Sequence, residues 1–464
     1  MYQIDFQTPI HIHFIGIGGI SMSGLAELLL AKGFTVSGSD AKVSALTDAL
    51  AEKGALIKIG QCAANLSPAP ALVVYTAAIH ADNPEFAAAK EAGIPMLTRA
   101  ELLGQIMKCY RTPIAVSGTH GKTTTTSMIS SILLHAGSDP TISIGGILKE
   151  TGSNFRIGHS DVFVTEACEY TNSFLSFFPR IGIILNVEED HMDFFHDITE
   201  IRDSFHRFAS LLPSDGVLII HASIPGYEEL TQDLSCRVVT FGRESSCDYS
   251  YRALSYDMYG NASYTLVRKN GPELADKELV CTLHVPGEHN VLNSLAALSL
   301  AGEIGIPDET ALEALSHFSG TSRRFEYKGE LNGITIIDDY AHHPTEITAT
   351  LRAAAHYPHK KLWCVFQPHT YTRTKTFLKD FARALSAADH VILADIFPAR
   401  ETDTLGISSE TLAEELRALH VPCDCPGTFS DIAEFIRKNC INGDLLITMG
   451  AGDVVNIGEM LLKS

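Results

Sequence analysis

The sequence predicts an α/β protein built from three open-sheet units in series, and two patterns and a length carry that reading. Short β-rich apolar runs alternate with helical stretches along most of the chain, as in parallel sheets covered by helices. Glycine-rich turns follow several of these runs, where a strand would feed a helix. A chain of 464 residues accommodates two to four domains at roughly 100–200 residues each.

The elements follow in order. HIHFIGIGG reads as a strand entering a Gly-rich turn, ISMSGLAELLLAKG as the helix it opens, and TVSGSD as the second strand. ALVVYTAAI and IPMLT continue the series, and AELLGQIMKCYRTP reads as a helix followed by a Pro-marked linker. The first boundary therefore falls near Arg111. A second unit opens with the strand PIAVSG, the loop THGKT and the helix TTTSMISSILLHAG, and continues through DVFVTEA and RIGIILNV. From Gly216 to Val285 the character changes to polar, Tyr- and Ser-containing strands, which suggests an antiparallel insertion. The helical run DETALEALSHF ends before Gly320. Beyond it ITIIDDYA, KLWCVFQP, HVILADIF and DLLITMGAG read as strands, with TKTFLKDFARALSAA as one of the intervening helices. The expected units are 1–110, 111–320 and 321–464.

Lys+Arg 35 against Asp+Glu 55 gives a net charge of −20. Such a surface repels polyphosphate, so nucleic acid is excluded as a main partner, and any anionic ligand must be held by a few well-placed cations. The 10 cysteines show no paired metal-ligand spacing and suit a reducing compartment, the cytoplasm; Cys423 and Cys425 read as ordinary thiols. The amino terminus has no basic leader followed by an apolar stretch, and no apolar run approaches the length a bilayer needs.

The strongest chemical signal is GTHGKTT, Gly118 to Thr124, between a strand and a helix. Glycines let backbone amides turn towards phosphate oxygens, the helix amino terminus adds partial positive charge, Lys122 adds a full one, and Thr123 offers a hydroxyl to Mg²⁺. The spacing departs from the common phosphate loop, since Val116 stands five residues before Gly121. Glu166, ending DVFVTEA, and His191, in NVEEDHMD past RIGIILNV, both fall at carboxyl ends of strands, the edge where open α/β sheets place ligands. They are candidate Mg²⁺ ligands; a capping carboxylate and a hydrogen-bonded histidine are their plainer uses.

The first loop, GIGGISMSG, places Gly16, Gly18 and Gly19 at a strand-to-helix turn, with Ser21 at the third glycine position of a dinucleotide fingerprint and Asp40 at the end of the next strand. It suits a pyrophosphate, whether of NAD or of a UDP-sugar. In the third unit Arg323, Arg324, Arg373 and Lys375 form a second basic cluster around DDYAHHPTE, which carries Tyr340, His342 and His343. Without a third ligand at helical spacing, the His-His pair reads as hydrogen-bonding rather than metal-binding.

Taken in order, HFIGIGGISMSGLA, GTHGKTTTT, EACEYTNSF, NVEEDHMD, PGEHNVLNSLAA, RRFE, DDYAHHPTE, FQPHTYTRTK and MGAGD resemble the motifs of the Mur ligases over the full length. That resemblance implies a Rossmann-like first domain, a phosphate-loop ATP-binding central domain and a Rossmann-like third domain. It implies ATP as co-substrate, with Gly118, Thr119, His120, Gly121, Lys122, Thr123 and Thr124 around the phosphates, and with Asn293, Arg324 and Asp339 near the adenine, phosphates and ribose. Thr123, Glu166 and His191 would surround Mg²⁺. Gly16, Gly18, Gly19, Asp40 and Thr76 would hold a UDP-sugar rather than NAD. His120, Tyr340, His342 and Arg373 would lie near a muramoyl carboxylate and an incoming amino acid.

The implied reaction joins L-alanine to UDP-N-acetylmuramate through an acyl phosphate, with Lys122, Glu166, His191, His342 and Arg373 as its catalytic set and the third domain closing over ATP. The implied assembly is a monomer or weak homodimer. Two positions depart from the family pattern: Glu169 lies in EACEYT where many members have ADESD, and Thr370 stands where many carry Arg. The sister ligases that use a carbamylated lysine are disfavoured, because no lysine lies between Lys149 and Lys269. A recycling sister that attaches a whole tripeptide to the same sugar stays open.

Overall fold

The computed structural model describes residues 2–76, 78–269, 276–399 and 401–463. Among the described residues it contains a five-stranded, a ten-stranded and a six-stranded sheet, one after another along the chain.

The first sheet is wholly parallel, in the order Leu56–Ile59, Thr35–Asp40, His11–Ile15, Leu72–Tyr75, Met96–Thr98. Alternation along His11–Ile15 sends Ile12 and Phe14 into one core and Ile15 into a second, so helices cover both faces. The strand order reverses between His11–Ile15 and Leu72–Tyr75, and the crevice at that reversal receives Gly16 to Gly19 and Thr76. The ALVVYTAAI strand stops at Tyr75; Ala77 lies outside the described residues.

The central sheet runs in parallel through Thr112–Ser117, Val162–Glu166, Ile181–Ile184, Val217–His221 and Arg237–Phe241. At one edge Thr141–Leu148 pairs in parallel with Val162–Glu166 and antiparallel with Ser153–Arg156; at the other, Tyr249–Tyr256 joins Arg237–Phe241 in parallel and antiparallel pairing then runs through Asn261–Arg268 and Lys277–Pro286. The stretch expected to be an antiparallel insertion from Gly216 is thus corrected. Its first two strands, Val217–His221 with a buried apolar centre and Arg237–Phe241 with Val239 and Phe241 buried, extend the parallel sheet, and the later three prolong the same sheet rather than leaving it. The link over 270–275 lies outside the described residues. Pro113 is likewise no linker. It pairs with Phe163 inside the strand Thr112–Ser117, near its beginning, and its carbonyl accepts from the Arg180 amide.

One face of this sheet, with Ile114, Val116 and Ile183, meets the helices Lys122–His135 and Glu288–Glu303. The other, with Ala115, Ile184 and Ile220, joins a core that also contains Leu102, Leu103 and Ile106 of the first unit. The third sheet runs Glu326–Leu331, Ile334–Asp339, Leu445–Met449, Leu362–Phe366, His390–Leu393, Cys423–Asp424 and is parallel except for its first strand. The single helix expected over TKTFLKDFARALSAA is two, Tyr371–Thr376 and Leu378–Leu385. Phe377 leaves helical angles at the break and sets its ring 5.0 Å from that of His343.

Candidate functional site

Gly118 to Thr124 leaves the carboxyl end of Thr112–Ser117 and opens the helix Lys122–His135. Two glycines make the turn possible. Gly121 has φ +83°, and a Cβ there would stand 2.7 Å from Asn293 Oδ1; Gly118 has φ +138° and lies against Leu185. Asn186 clamps the loop from the neighbouring strand end: its Oδ1 accepts from the His120 amide at 2.7 Å and its Nδ2 donates to the His120 carbonyl at 3.0 Å. The Lys122 ammonium folds back onto the Gly118 and Thr119 carbonyls and pairs with Glu169 at 3.1 Å. Burial disfavours its charge, but the surrounding anionic groups, Glu169 foremost and Glu166 with it, together outweigh burial and hold the lysine above its ordinary range.

Glu166 accepts from the Gly145 amide at 2.6 Å and from the Thr123 hydroxyl at 3.2 Å. Burial pushes its carboxyl up, against the opposing Gly145 amide and Lys122 charge. This hydroxyl and carboxylate are hard oxygen donors beside a phosphate-type loop, and the carboxylate has no cation in ion-pair contact among the described residues, so the pair fits Mg²⁺. His191 makes its carboxylate contacts elsewhere, with Nε2 3.7 Å from Glu169 and 3.8 Å from Asp190 and its ring stacked on Tyr170. Burial lowers its pKa, which leaves the imidazole neutral.

Two cavities flank this centre along the seam with the third sheet. One of about 350 Å³ is lined by His120, Gly121, Thr124, Asn293, Arg324 and Asp339, six residues the sequence grouped as an ATP site. Asp339 is spoken for by the Phe325 and Ala341 amides, and burial raises its carboxyl to about 6. Arg324 lies 5.1 Å over the Tyr340 ring and 3.9 Å from Glu346. The other cavity, about 300 Å³, is lined by Asp190, His191, His369, Arg373 and Glu401 among others. Its Arg373 is held by Asp190, with Nη2 to Oδ1 2.8 Å. Tyr340 and His342 line neither cavity. Arg323 and Arg324 both stand over the Tyr340 ring, at 4.9 and 5.1 Å from its centroid, and His342 donates to the Tyr340 carbonyl, its pKa lowered by burial to about 3.

His120 spans the seam, with Nδ1 3.3 Å from Glu346 and Nε2 3.5 Å from Glu188. Burial disfavours its protonation, but those two carboxylates overcome it and push its pKa up to about 9. Thr345 donates to Glu188 at 2.8 Å and His343 to the Glu189 carbonyl at 3.1 Å, which strengthens the same clasp. His343 therefore makes hydrogen bonds, although it also lies close enough to His120 and Glu188 for the three to meet around one ion.

In the first unit, Gly16 turns at φ +82°, Gly19 caps the helix Ile20–Ala31, and Asp40 accepts from the Gly18 amide at 2.9 Å, so the carboxylate braces the loop itself. Thr76 accepts from the Ala78 amide at 3.2 Å. Sequence reading missed Asn186, Asp190 and Glu346 and set Glu169 aside. All four lie inside quoted motifs, but their partners are far away in the chain.

Comparison with known proteins matches three successive segments of the chain. The model described as Mur ligase family, catalytic domain covers residues 11–111, the Mur ligase middle domain 116–301, and the Mur ligase, glutamate ligase domain 323–452. The UDP-N-acetylmuramate–L-alanine ligase of Lachnospira eligens is 60% identical over 100% of both chains, and that of Agathobacter rectalis 58% identical over 100% of both. Among solved structures, the UDP-N-acetylmuramate–alanine ligase of Thermotoga maritima aligns with TM-score 0.80 at 30% identity over 98% of both chains. A murein peptide ligase of Psychrobacter arcticus aligns with TM-score 0.73 at 28% identity, also over 98% of both. The chain belongs to the Mur ligase family.

Proposed function

We propose that the protein joins L-alanine to the lactoyl carboxylate of UDP-N-acetylmuramate with hydrolysis of ATP to ADP and phosphate, in the cytoplasmic synthesis of peptidoglycan precursor. The observation that supports it most is the seam: one phosphate-type loop, with Lys122 and Glu166, lies between a cavity suited to a nucleotide and a second cavity anchored by Arg373. The relatives of the same full length and 56–60% identity bear this activity in their names.

A carboxylate is too poor an electrophile for direct amide formation, so its oxygen first takes the γ-phosphoryl group of ATP, giving an acyl phosphate and ADP. The alanine amine then attacks the acyl carbon, the tetrahedral intermediate expels inorganic phosphate, and the amide remains. The amides of Gly118 to Thr124 and Lys122 orient and neutralise the transferring group. Thr123 and Glu166 would hold Mg²⁺, with His191 beyond Glu169, and the ion would supply charge neutralisation at the phosphates. Asn293 lies near the adenine, and Arg324 and Asp339 lie around the phosphates and ribose of ATP. Arg373, oriented by Asp190, holds the alanine carboxylate, and His342, neutral and buried, orients Tyr340. The proposed units are 1–110 for the UDP-sugar, 111–320 for ATP and 321–464 for the amino acid, with the last closing over ATP and the protein acting as a monomer or weak homodimer.

Phosphate release from ATP and UDP-N-acetylmuramate, with L-alanine, L-serine, glycine or the stem tripeptide added in turn, tests this reading. Release is expected with L-alanine. Release with the tripeptide alone would move the activity to the recycling sister, and release with none would refute ligation. Lys122→Ala is expected to abolish turnover while UDP-sugar binding survives.

A further inference from the structure

Arg99 opens the helix Arg99–Met107 directly after the strand Met96–Thr98 of the first unit. A cation there is opposed by the positive end of the helix dipole. The nearest acid in sequence, Glu101, is committed to a capping box, accepting from the Thr98 amide at 2.7 Å and the Thr98 hydroxyl at 2.9 Å. Among the described residues the Arg99 side chain has no hydrogen bond and no ion pair, although the residue is half-buried. The helix cannot drift from that position. Gly104 brings its backbone against the central unit so closely that a Cβ would lie 1.9 Å from the Ser176 carbonyl oxygen.

A half-buried guanidinium without an ion pair raises the free energy of the protein, and an anion bound beside it would relieve that cost. On the function proposed above, the entering ligand carries two kinds of anion, a pyrophosphate and a carboxylate. The glycine loop that suits the pyrophosphate follows His11–Ile15, two strands away from Met96–Thr98, a separation of about 10 Å. That distance takes Arg99 past the pyrophosphate, and Ser176, against which its helix packs at Gly104, ends the turn that follows directly on Glu166 and Glu169. We propose that Arg99 binds the lactoyl carboxylate of UDP-N-acetylmuramate and holds the reacting end of the nucleotide sugar at the seam between the first and central units.

The test compares Arg99→Met with the parent in calorimetric binding of UDP-N-acetylmuramate and of UDP-N-acetylglucosamine, which shares the pyrophosphate but lacks the lactoyl carboxylate. Affinity for the acidic sugar is expected to fall at least about tenfold and affinity for the neutral sugar to stay unchanged. The melting midpoint of the free protein is expected to hold or rise, because the variant removes an unpaired charge, and Arg99→Lys should recover part of the lost affinity. Equal loss for both sugars, loss for neither, or a lowered melting midpoint with no sugar discrimination would overturn the proposal. A parent protein that failed to bind UDP-N-acetylmuramate would instead sink the function itself, a result read before any variant is made.

Discussion

Lys122 was recognisable from seven consecutive residues, because a glycine-flanked Lys-Thr at a strand-to-helix turn has few other uses. Its partner was not. Glu169 meets the ammonium across 47 positions, and the departure of EACEYT from the commoner family pattern made it look expendable. Asp190 has the same history: inside a quoted motif, yet assigned a role only when Arg373 arrives from 183 residues away. With that anchor removed, Arg373 should lose its fixed orientation while the nucleotide cavity is untouched. Asp190→Asn is therefore expected to raise KM for L-alanine about tenfold with little change in KM for ATP, measured by steady-state phosphate release. An equal rise in both constants would assign Asp190 to the fold of the seam rather than to Arg373.

At the scale of elements, alternation and turn glycines were sufficient to place strands and helices, because each depends on neighbours a few residues away. The misreadings arose where an element answers to distant partners. Val217–His221 and Arg237–Phe241 join the parallel sheet because edge positions were available beside Ile181–Ile184, a fact no local pattern carries. Gly104 shows the same principle inside a helix. Replacing a mid-helix glycine by alanine ordinarily stabilises by about 0.5–1 kcal/mol. Here the new Cβ would collide with the Ser176 backbone, so Gly104→Ala is expected to destabilise by about 2 kcal/mol, read from the midpoint of denaturant unfolding. A neutral or stabilising outcome would show that the first and central units are free to move apart at this contact.

For the molecule as a whole, the seam between the second and third sheets is a clasp of charges. His120, with its pKa pushed up to about 9, stabilises the clasp fully below its ordinary value of 6.5, and that contribution fades as pH rises through about 9. Glu346 is held well below the usual carboxylate range, so its own contribution is lost only on the acid side. The parent is thus expected to lose more thermal stability between neutral pH and pH 9 than His120→Gln, followed by melting midpoint across that window; parallel curves would refute the protonated clasp. Self-repulsion from the net charge of −20 grows equally in both proteins and cancels in the comparison. By itself, the sequence determined the α/β class, the three units in series, the phosphate loop and the family, since all of these rest on local periodicity, turn chemistry and ordered motifs. Only the tertiary structure decided that Glu169 neutralises Lys122, that Asp40 braces its own loop, that Asp190 aims Arg373 and that the Arg99 side chain has no ion pair among the described residues. Electrostatic partnership depends on distance in space, and the chain brings those groups together only when its sheets meet.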